Sequence, residues 1–175
     1  MITKTMRKLG SITAAVVLTV SVSAVAYAQP VARSPIGAAE LIPAFDPDLP
    51  VSGTTAYSDE MNAQATWVCS VYASDPSSFA NTIEGEGWQS CSGFGWQPQR
   101  INVVIQRYLG LGFWQNRANQ DSGYVWVNFV HRDLIYDCSG TGSQLYRVVT
   151  NGYAQGGAYY QPVQSENYLR YTCPQ

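Results

Sequence analysis

Apolar and polar residues alternate over several short stretches of the chain, and this period of two residues is typical of β-strands with one buried face. The side chains of Ile101, Val103 and Ile105, for example, would share one face of such a strand. Turn-forming residues separate the stretches, and Asn151-Gly152 is typical of a hairpin turn. The pattern predicts about six to eight short strands. The clearest of them comprise residues 67–72, 100–108, 124–131, 134–138, 144–150 and 167–173.

Helical periodicity is weak throughout the sequence. Short helical turns are expected only near residues 58–66 and 76–81, because no longer stretch repeats apolar residues at the helical period. Many short strands without long helices favour an all-β fold, and we expect an antiparallel β-sandwich. A small closed β-barrel is the alternative that the same pattern allows.

Residues 1–28 have the three parts of a secretory signal peptide. Three basic residues lie among the first eight, residues 9–25 form an apolar run rich in valine and alanine, and Ala26 and Ala28 supply the small residues before a cleavage site at Gln29. The apolar run is shorter than a membrane-spanning helix needs, so we expect no stable membrane span after cleavage. The sequence therefore predicts a secreted, extracellular protein.

Residues 29–66 differ in composition from the rest of the exported chain. They contain five of the nine prolines and five acidic residues against a single arginine, Arg33. This composition predicts an extended, largely disordered acidic leader, with a propeptide cut near Arg33 as the alternative. The folded β domain is expected over residues 67–175.

The predicted domain contains all four cysteines of the chain. An even number of cysteines in an oxidising compartment predicts two disulfides. Three connectivities are possible, and each bridge is worth roughly 3–4 kcal/mol. A zinc site is the competing interpretation, but no spacing resembles a zinc motif and no cysteine has a local histidine partner. We expect the sequential pairs Cys69–Cys91 and Cys138–Cys173.

The charge balance excludes some classes of partner. Charged residues make up 13% of the chain, about half the usual share. Without residues 1–28 the chain has seven arginines, no lysine and twelve acidic residues, a formal charge of −5. No basic surface for nucleic acid can form from this set, so no nucleic-acid partner is expected. His131 is the only histidine, which excludes a histidine-rich metal cage, and we expect no metal and no cofactor.

Candidate catalytic residues are few. His131 lies at the end of a predicted strand, and no Gly-x-Ser-x-Gly nucleophile elbow occurs in the sequence. Glu84 and Glu86 would share one face of a strand at about 7 Å, a spacing found in glycosidase pairs. The neighbouring glycines favour a solvated turn instead. We therefore expect no enzymatic activity, with a small hydrolase that uses Glu84 or Glu86 as an alternative.

Aromatic residues are concentrated in the predicted domain, which holds all five tryptophans and ten of the twelve tyrosines. Those in regular strands, Trp67, Trp114 and Trp126, are expected to fill the core. Others lie in glycine-rich segments that we predict to be loops, where a flat ring can stack on a sugar or contact a protein. The candidate binding residues are Trp88, Phe94, Trp96, Tyr159 and Tyr160.

Three short motifs connect the domain to a known architecture: Arg100-Ile101-Asn102-Val103, Cys138-Ser139-Gly140-Thr141-Gly142 with Tyr146-Arg147, and Tyr171-Thr172-Cys173. The motif that begins at Cys138 is similar to a strand entry of bacterial immunoglobulin-like sandwiches, and the one that ends at Cys173 is similar to the tyrosine corner of immunoglobulins. With the leader and the arginine-only basic set, the motifs resemble small secreted proteins of high-GC Gram-positive bacteria that have no assigned activity. The resemblance implies an immunoglobulin-like sandwich and transfers no functional residue.

A secreted, non-enzymatic binding module is the function that the sequence favours. Its ligand would be a cell-wall glycan or an extracellular protein, bound through the aromatic glycine-rich loops. A secreted protease inhibitor is an alternative, and it would present residues 89–98 around Cys91 as a rigid exposed loop. A structural cell-surface protein is a further alternative.

Overall fold

The computed structural model of the chain describes residues 39–51, 53–58, 66–95, 98–154 and 159–175. These residues form eleven β-strands and no helix, which confirms the all-β class. The predicted signal peptide, residues 1–28, lies outside them. The strands are β1 (Ala39–Pro43), β2 (Gly53–Ser58), β3 (Thr66–Ala73), β4 (Ser77–Phe79), β5 (Thr82–Phe94), β6 (Gln99–Gly110), β7 (Phe113–Asp121), β8 (Phe129–Asp137), β9 (Gly142–Ala154), β10 (Tyr159–Gln164) and β11 (Asn167–Cys173).

The strands form two antiparallel sheets. The six-stranded sheet has the order β1-β11-β9-β6-β7, with β10 paired to the second half of β9. The five-stranded sheet has the order β2-β3-β5-β4, with β8 paired to β5. Inward side chains of both sheets form one core cluster, so the fold is the predicted antiparallel sandwich rather than a single closed sheet.

The core follows from the alternation of the long central strands. Ile101, Val103 and Ile105 of β6 are completely buried, as their spacing predicts. They belong to the same cluster as Ile83 from the facing sheet. Trp67 is also buried, which confirms the prediction made for it. Because β-branched residues pack well on a pleated, buried surface, these strands form the centre of the domain.

Glycines in β5 allow the two sheets to approach closely. A Cβ atom on Gly87 would overlap Thr150 Oγ1 and lie 2.7 Å from Val103 Cγ2, and one on Gly85 would overlap the side chain of Val148. The segment of residues 84–87, expected as a solvated turn, is therefore an internal part of β5. Glycine is required there by close packing and not by a turn, and the prediction was wrong for this reason.

Two disulfides form with the sequential connectivity expected from the sequence. Cys69–Cys91 joins directly opposite positions of β3 and β5 within one sheet. Cys138–Cys173 joins the residue after β8 to the last residue of β11, and it therefore links the two sheets. All four cysteines are buried in the core cluster.

The predicted strand over residues 124–131 is only partly formed, because β8 begins at Phe129. Val125 makes one isolated bridge with Gln99, in a segment that carries the chain from one sheet to the other. Trp126 is 71% exposed, so its predicted place in the core was wrong. An extended crossing segment shows the same alternation as a strand, and local pattern does not separate the two.

Two smaller expectations also differ from the structure. Asn151-Gly152 is not a turn, since β9 continues through it to Ala154. Gly152 serves close packing instead, because a Cβ there would lie 2.5 Å from Val71 Cγ2. Of the expected helical turns, residues 77–79 form strand β4, and residues 59–65 lie outside the described residues.

The expected leader contributes to the folded domain. Of residues 29–66, those before Ala39 lie outside the described residues, but β1 pairs with β11 and β2 pairs with β3. The domain boundary predicted at residue 67 was therefore too late. Pro43 at the end of β1 and Asp46, which pairs with Arg147, are compatible with a folded edge segment, and composition alone does not reveal this.

The connection between β1 and β2 is held on the outer face of the six-stranded sheet. Gln164 of β10 is buried, and its Nε2 donates to the carbonyl oxygens of Asp46 (2.8 Å) and Leu49 (2.6 Å). The ring of Phe45 packs against Tyr168 and Trp114, with centroid distances of 5.0 and 6.4 Å. Trp114 belongs to this outer cluster and not to the central core, contrary to expectation.

Candidate functional site

The outer face of the five-stranded sheet collects the side chains best suited to bind a ligand. Because alternate residues of β5 point into the core, the intervening residues point outward. Their partners on β8 are fixed by the register of the ladder, in which Glu86 is opposite Asp133 and Trp88 is opposite His131. We call this surface the His131 face. It comprises Tyr72, Glu86, Trp88, Phe129, His131 and Asp133.

His131 lies between two carboxylates on this face. Its Nε2 is 3.2 Å from Glu86 Oε2 and 3.1 Å from Asp133 Oδ1. The side chains of Glu86 and Asp133 are 55% and 74% exposed, so both carboxylates remain open to solvent. Ionised carboxylates act only as hydrogen-bond acceptors, and the cluster therefore suits a ligand rich in donors or a cation.

Aromatic rings flank the histidine along the same face. Tyr72 and Trp88 stack across the β3–β5 ladder with centroids 3.9 Å apart, and Trp88 lies 6.3 Å from His131. Two residues along β8, the ring of Phe129 is nearly parallel to that of His131, with an interplanar angle of 12° and centroids 6.4 Å apart. Phe129 is 51% exposed and offers an apolar ring surface beside the polar cluster.

An open pocket of about 330 Å³ adjoins the His131 face. Glu86 and Asp133 belong to the face and also line the pocket. Asp75 and Glu84 supply further oxygen atoms to the pocket wall. Asp75 is held in place by hydrogen bonds from the backbone and side chain of Asn167, at 2.8 and 2.6 Å. The pocket wall is therefore rich in acceptors, and its volume is within the range of small-molecule sites.

The structure does not bring the predicted binding residues together. Trp88 belongs to the His131 face, but Tyr160 is exposed on the six-stranded sheet, whose outer face is on the opposite side of the sandwich. Phe94 and Tyr159 occupy strands β5 and β10, and their side chains lie outside the described part, as does all of Trp96.

The surroundings of Tyr160 form a second aromatic cluster whose polar groups are paired with one another. Tyr160 donates a hydrogen bond to Asn151 Oδ1 (3.1 Å), and its ring lies 5.0 Å from that of Tyr153. Arg100 stacks over Tyr153 and forms an ion pair with Asp121. The hydrogen bond from Arg100 holds the pKa of Asp121 below its usual range, and it outweighs the opposing effect of burial.

The expected inhibitor loop is mostly a strand. Residues 89–94 belong to β5 and pair with β3, and Gln89 is fully buried, with its Nε2 donating to the carbonyl oxygen of Tyr153 (3.2 Å). A protease needs an exposed, extended loop to bind, and residues 89–94 do not supply one.

Of the six residues of the His131 face, only Trp88 was predicted as a binding residue, and five were missed: Tyr72, Glu86, Phe129, His131 and Asp133. The two-residue spacing of His131 and Asp133 was available as a signal, because alternate strand residues share a face. The partner Glu86 lies 45 residues away from His131, and only the ladder register shows that the two meet.

No protein-family model, curated protein or solved structure matches the chain. The resemblance to immunoglobulin-like bacterial proteins therefore stays a prediction. A search of the described residues for a membrane-spanning helix finds no candidate.

Proposed function

We propose that the chain is a secreted, non-enzymatic binding module that takes a polysaccharide on the His131 face and in the adjoining pocket. The observation that carries this proposal is the juxtaposition, on one exposed sheet face, of aromatic rings with a cluster of solvent-open carboxylates. Export would depend on residues 1–28, and the two disulfides suit an oxidising compartment.

The aromatic part of the face supports a sugar ligand. The C–H faces of a sugar ring are apolar, and an exposed aromatic ring such as that of Phe129 can pack flat against them. Trp88 is less available for this because Tyr72 covers one side of its ring at 3.9 Å. We therefore expect Phe129, rather than Trp88, to provide most of the aromatic area that contacts the sugar.

The polar part of the face supports the same ligand class. A polysaccharide presents many hydroxyl donors. The carboxylates of Glu84, Glu86 and Asp133 line the pocket that adjoins the aromatic rings, and they can accept hydrogen bonds from these hydroxyls. The same three carboxylates would repel a protein ligand with an acidic surface. Residues 129–135 of β8 extend over about 20 Å, which gives a chain-like ligand several contact points.

Binding without hydrolysis is supported by the exposure of the carboxylates. A glycosidase needs one carboxyl group in an apolar enclosure that keeps it protonated near neutral pH. Glu86 and Asp133 are more than half exposed on an open face. Glu84 and Glu86 share the outer face of β5, but a shared strand face alone does not supply such an enclosure.

The proposal is tested by retention of the purified protein on a panel of insoluble cell-wall polysaccharides. Phe129→Ala is expected to weaken binding about tenfold, equivalent to about 1.4 kcal/mol. Phe113→Ala is the matched control, because Phe113 is similarly exposed but lies on β7 of the other sheet. Thermal melts of both variants show whether either loses its fold.

Retention that falls for Phe129→Ala and not for Phe113→Ala supports the proposal. Retention that falls only for Tyr160→Ala would assign binding to the opposite face of the sandwich. Absence of retention on every polysaccharide would overturn the carbohydrate assignment. Release of soluble sugar by the wild-type protein, lost in Glu86→Gln, would replace the binding module by the hydrolase alternative.

A further inference from the structure

We propose that Glu86, His131 and Asp133 form a site for one divalent cation of the zinc class, on a surface where the sequence predicted none. One ligand atom from each residue lies within 4.8 Å of the other two. The proposal does not depend on a polysaccharide ligand, because it rests only on the geometry of these three side chains.

The distances fit a shared ion. Nitrogen and oxygen ligands lie about 2.0–2.2 Å from zinc, so ligands at tetrahedral angles are about 3.4 Å from one another. His131 Nε2 lies 3.2 Å from Glu86 Oε2 and 3.1 Å from Asp133 Oδ1. A cation at the solvent side of the three atoms would therefore reach all of them with small rotations of the exposed carboxylates.

The paired strands fix the backbone positions of the three ligand residues before any ion binds. Glu86 and Asp133 are directly opposite in the β5–β8 ladder, and His131 is two residues from Asp133 on the same face. The amide of Glu86 also donates to Ser74 Oγ (2.9 Å), which ties this position to the β3–β4 connection. Sites on paired strands are more rigid than sites on loops, and this lowers the entropic cost of binding.

The charge of the cluster favours a cation. Two carboxylates at opposing positions of a ladder repel each other, and this arrangement destabilises the sheet unless a positive charge lies between them. Both carboxylates converge on His131 Nε2. An ion bound beside this atom would neutralise the repulsion between the two carboxylates. Neither carboxylate has an arginine partner among the ion pairs of the described residues.

The donor set selects the type of metal. One imidazole nitrogen and two carboxylate oxygens suit zinc and its first-row neighbours, whereas calcium requires six or more oxygen ligands. Three protein ligands leave one or more coordination positions open toward solvent. The ion would therefore be accessible to an oxygen atom of a ligand in the adjoining pocket, which shares Glu86 and Asp133.

The test is titration of the EDTA-treated, tag-free protein with zinc chloride, measured by calorimetry. One equivalent is expected to bind, and His131→Gln and Asp133→Asn should each weaken binding at least tenfold. Glu40→Gln is the matched control, because Glu40 is an exposed carboxylate on β1, at the edge of the six-stranded sheet, and belongs to neither the cluster nor the pocket. Calcium chloride is expected to bind at least tenfold more weakly than zinc.

The single histidine allows a direct second readout. Its imidazole nitrogen resonances are unambiguous in a ¹⁵N spectrum, and Nε2 should shift on addition of zinc. Zinc binding that persists in His131→Gln, or a titration without a change at His131 Nε2, would overturn the proposal. The zinc titration contains no polysaccharide, so its outcome is independent of the carbohydrate-binding test.

Discussion

Arg147 donates a hydrogen bond from Nη1 to Asp46 Oδ2 over 2.6 Å, and the two side chains are only 5% and 14% exposed. Asp46 lies in the acidic segment that composition assigned to a leader, whereas Arg147 lies in the centre of β9. The guanidinium also stacks over Trp114, with its carbon 4.0 Å from the ring centroid. This pair therefore anchors the segment before residue 67 to the six-stranded sheet.

Removal of this anchor should destabilise the domain. Asp46→Ala leaves Arg147 buried without its carboxylate, and loss of one partner of a buried pair costs about 3 kcal/mol or more. Urea unfolding of the purified protein measures the difference. Asp48→Ala is the matched control because Asp48 is an exposed carboxylate in the same segment. Equal, small effects of the two substitutions would contradict the role assigned to the pair.

Acid should weaken the same contact. Burial raises the pKa of Asp46, but the hydrogen bonds from the Asp48 amide and Arg147, with the charge of Arg147, outweigh it and hold the pKa below the usual 3.8. A carboxyl with a depressed folded pKa contributes stability above its unfolded pKa and loses it as the pH falls through the folded value. The free energy of unfolding should therefore decrease below about pH 4, and less steeply in Asp46→Asn. A wild-type acid dependence that Asp46→Asn leaves unchanged would show that Asp46 is not involved.

Local alternation predicted the parts of this fold that depend on one strand at a time. Ile101, Val103 and Ile105 are buried because every second residue of β6 faces the core. The same rule misplaced Trp126, since an extended segment between sheets has the same alternation without a continuous ladder. Whether a stretch becomes a strand depends on the presence of a pairing partner, and that is a property of the whole topology.

The candidate site shows the same limit more clearly. Glu86 and His131 are far apart in sequence, and their contact depends on the register of β5 against β8. A shift of one residue in that register would turn the outward side chains of one strand toward the core. Composition identified the aromatic and acidic residues as candidates, but it did not show which of them share a face.

Close packing at Gly87 should make this position intolerant of any side chain. Gly87→Ala would place a methyl group against Thr150 and Val103 across the sheet interface. Overpacking of this kind costs about 1–3 kcal/mol, so the free energy of unfolding should fall by about 2 kcal/mol. Ser92→Ala on the exposed face of the same strand should change stability by less than about 0.5 kcal/mol. An unchanged unfolding midpoint for Gly87→Ala would contradict the close approach of the sheets.

The β4–β5 turn offers a stabilising substitution. Ala80 has a φ of 51°, in the left-handed region that residues with a Cβ adopt at a cost of about 1–2 kcal/mol. Ala80→Gly should therefore raise the free energy of unfolding by up to about 1 kcal/mol, after the entropic cost of glycine is included. Ala118→Gly in strand β7 should have the opposite sign, because glycine weakens a strand interior. Destabilisation by both substitutions would contradict the turn conformation.

Chemical-shift mapping with a soluble cell-wall oligosaccharide tests the binding face most directly. Backbone amides of β5 and β8 around Trp88 and Phe129 are expected to shift on titration, together with the imidazole signal of His131, the only histidine. Signals of Tyr153 and Tyr160 on the opposite face should stay in place. Shifts confined to that opposite face, or none with any oligosaccharide derived from a polysaccharide that retains the protein, would contradict the assignment.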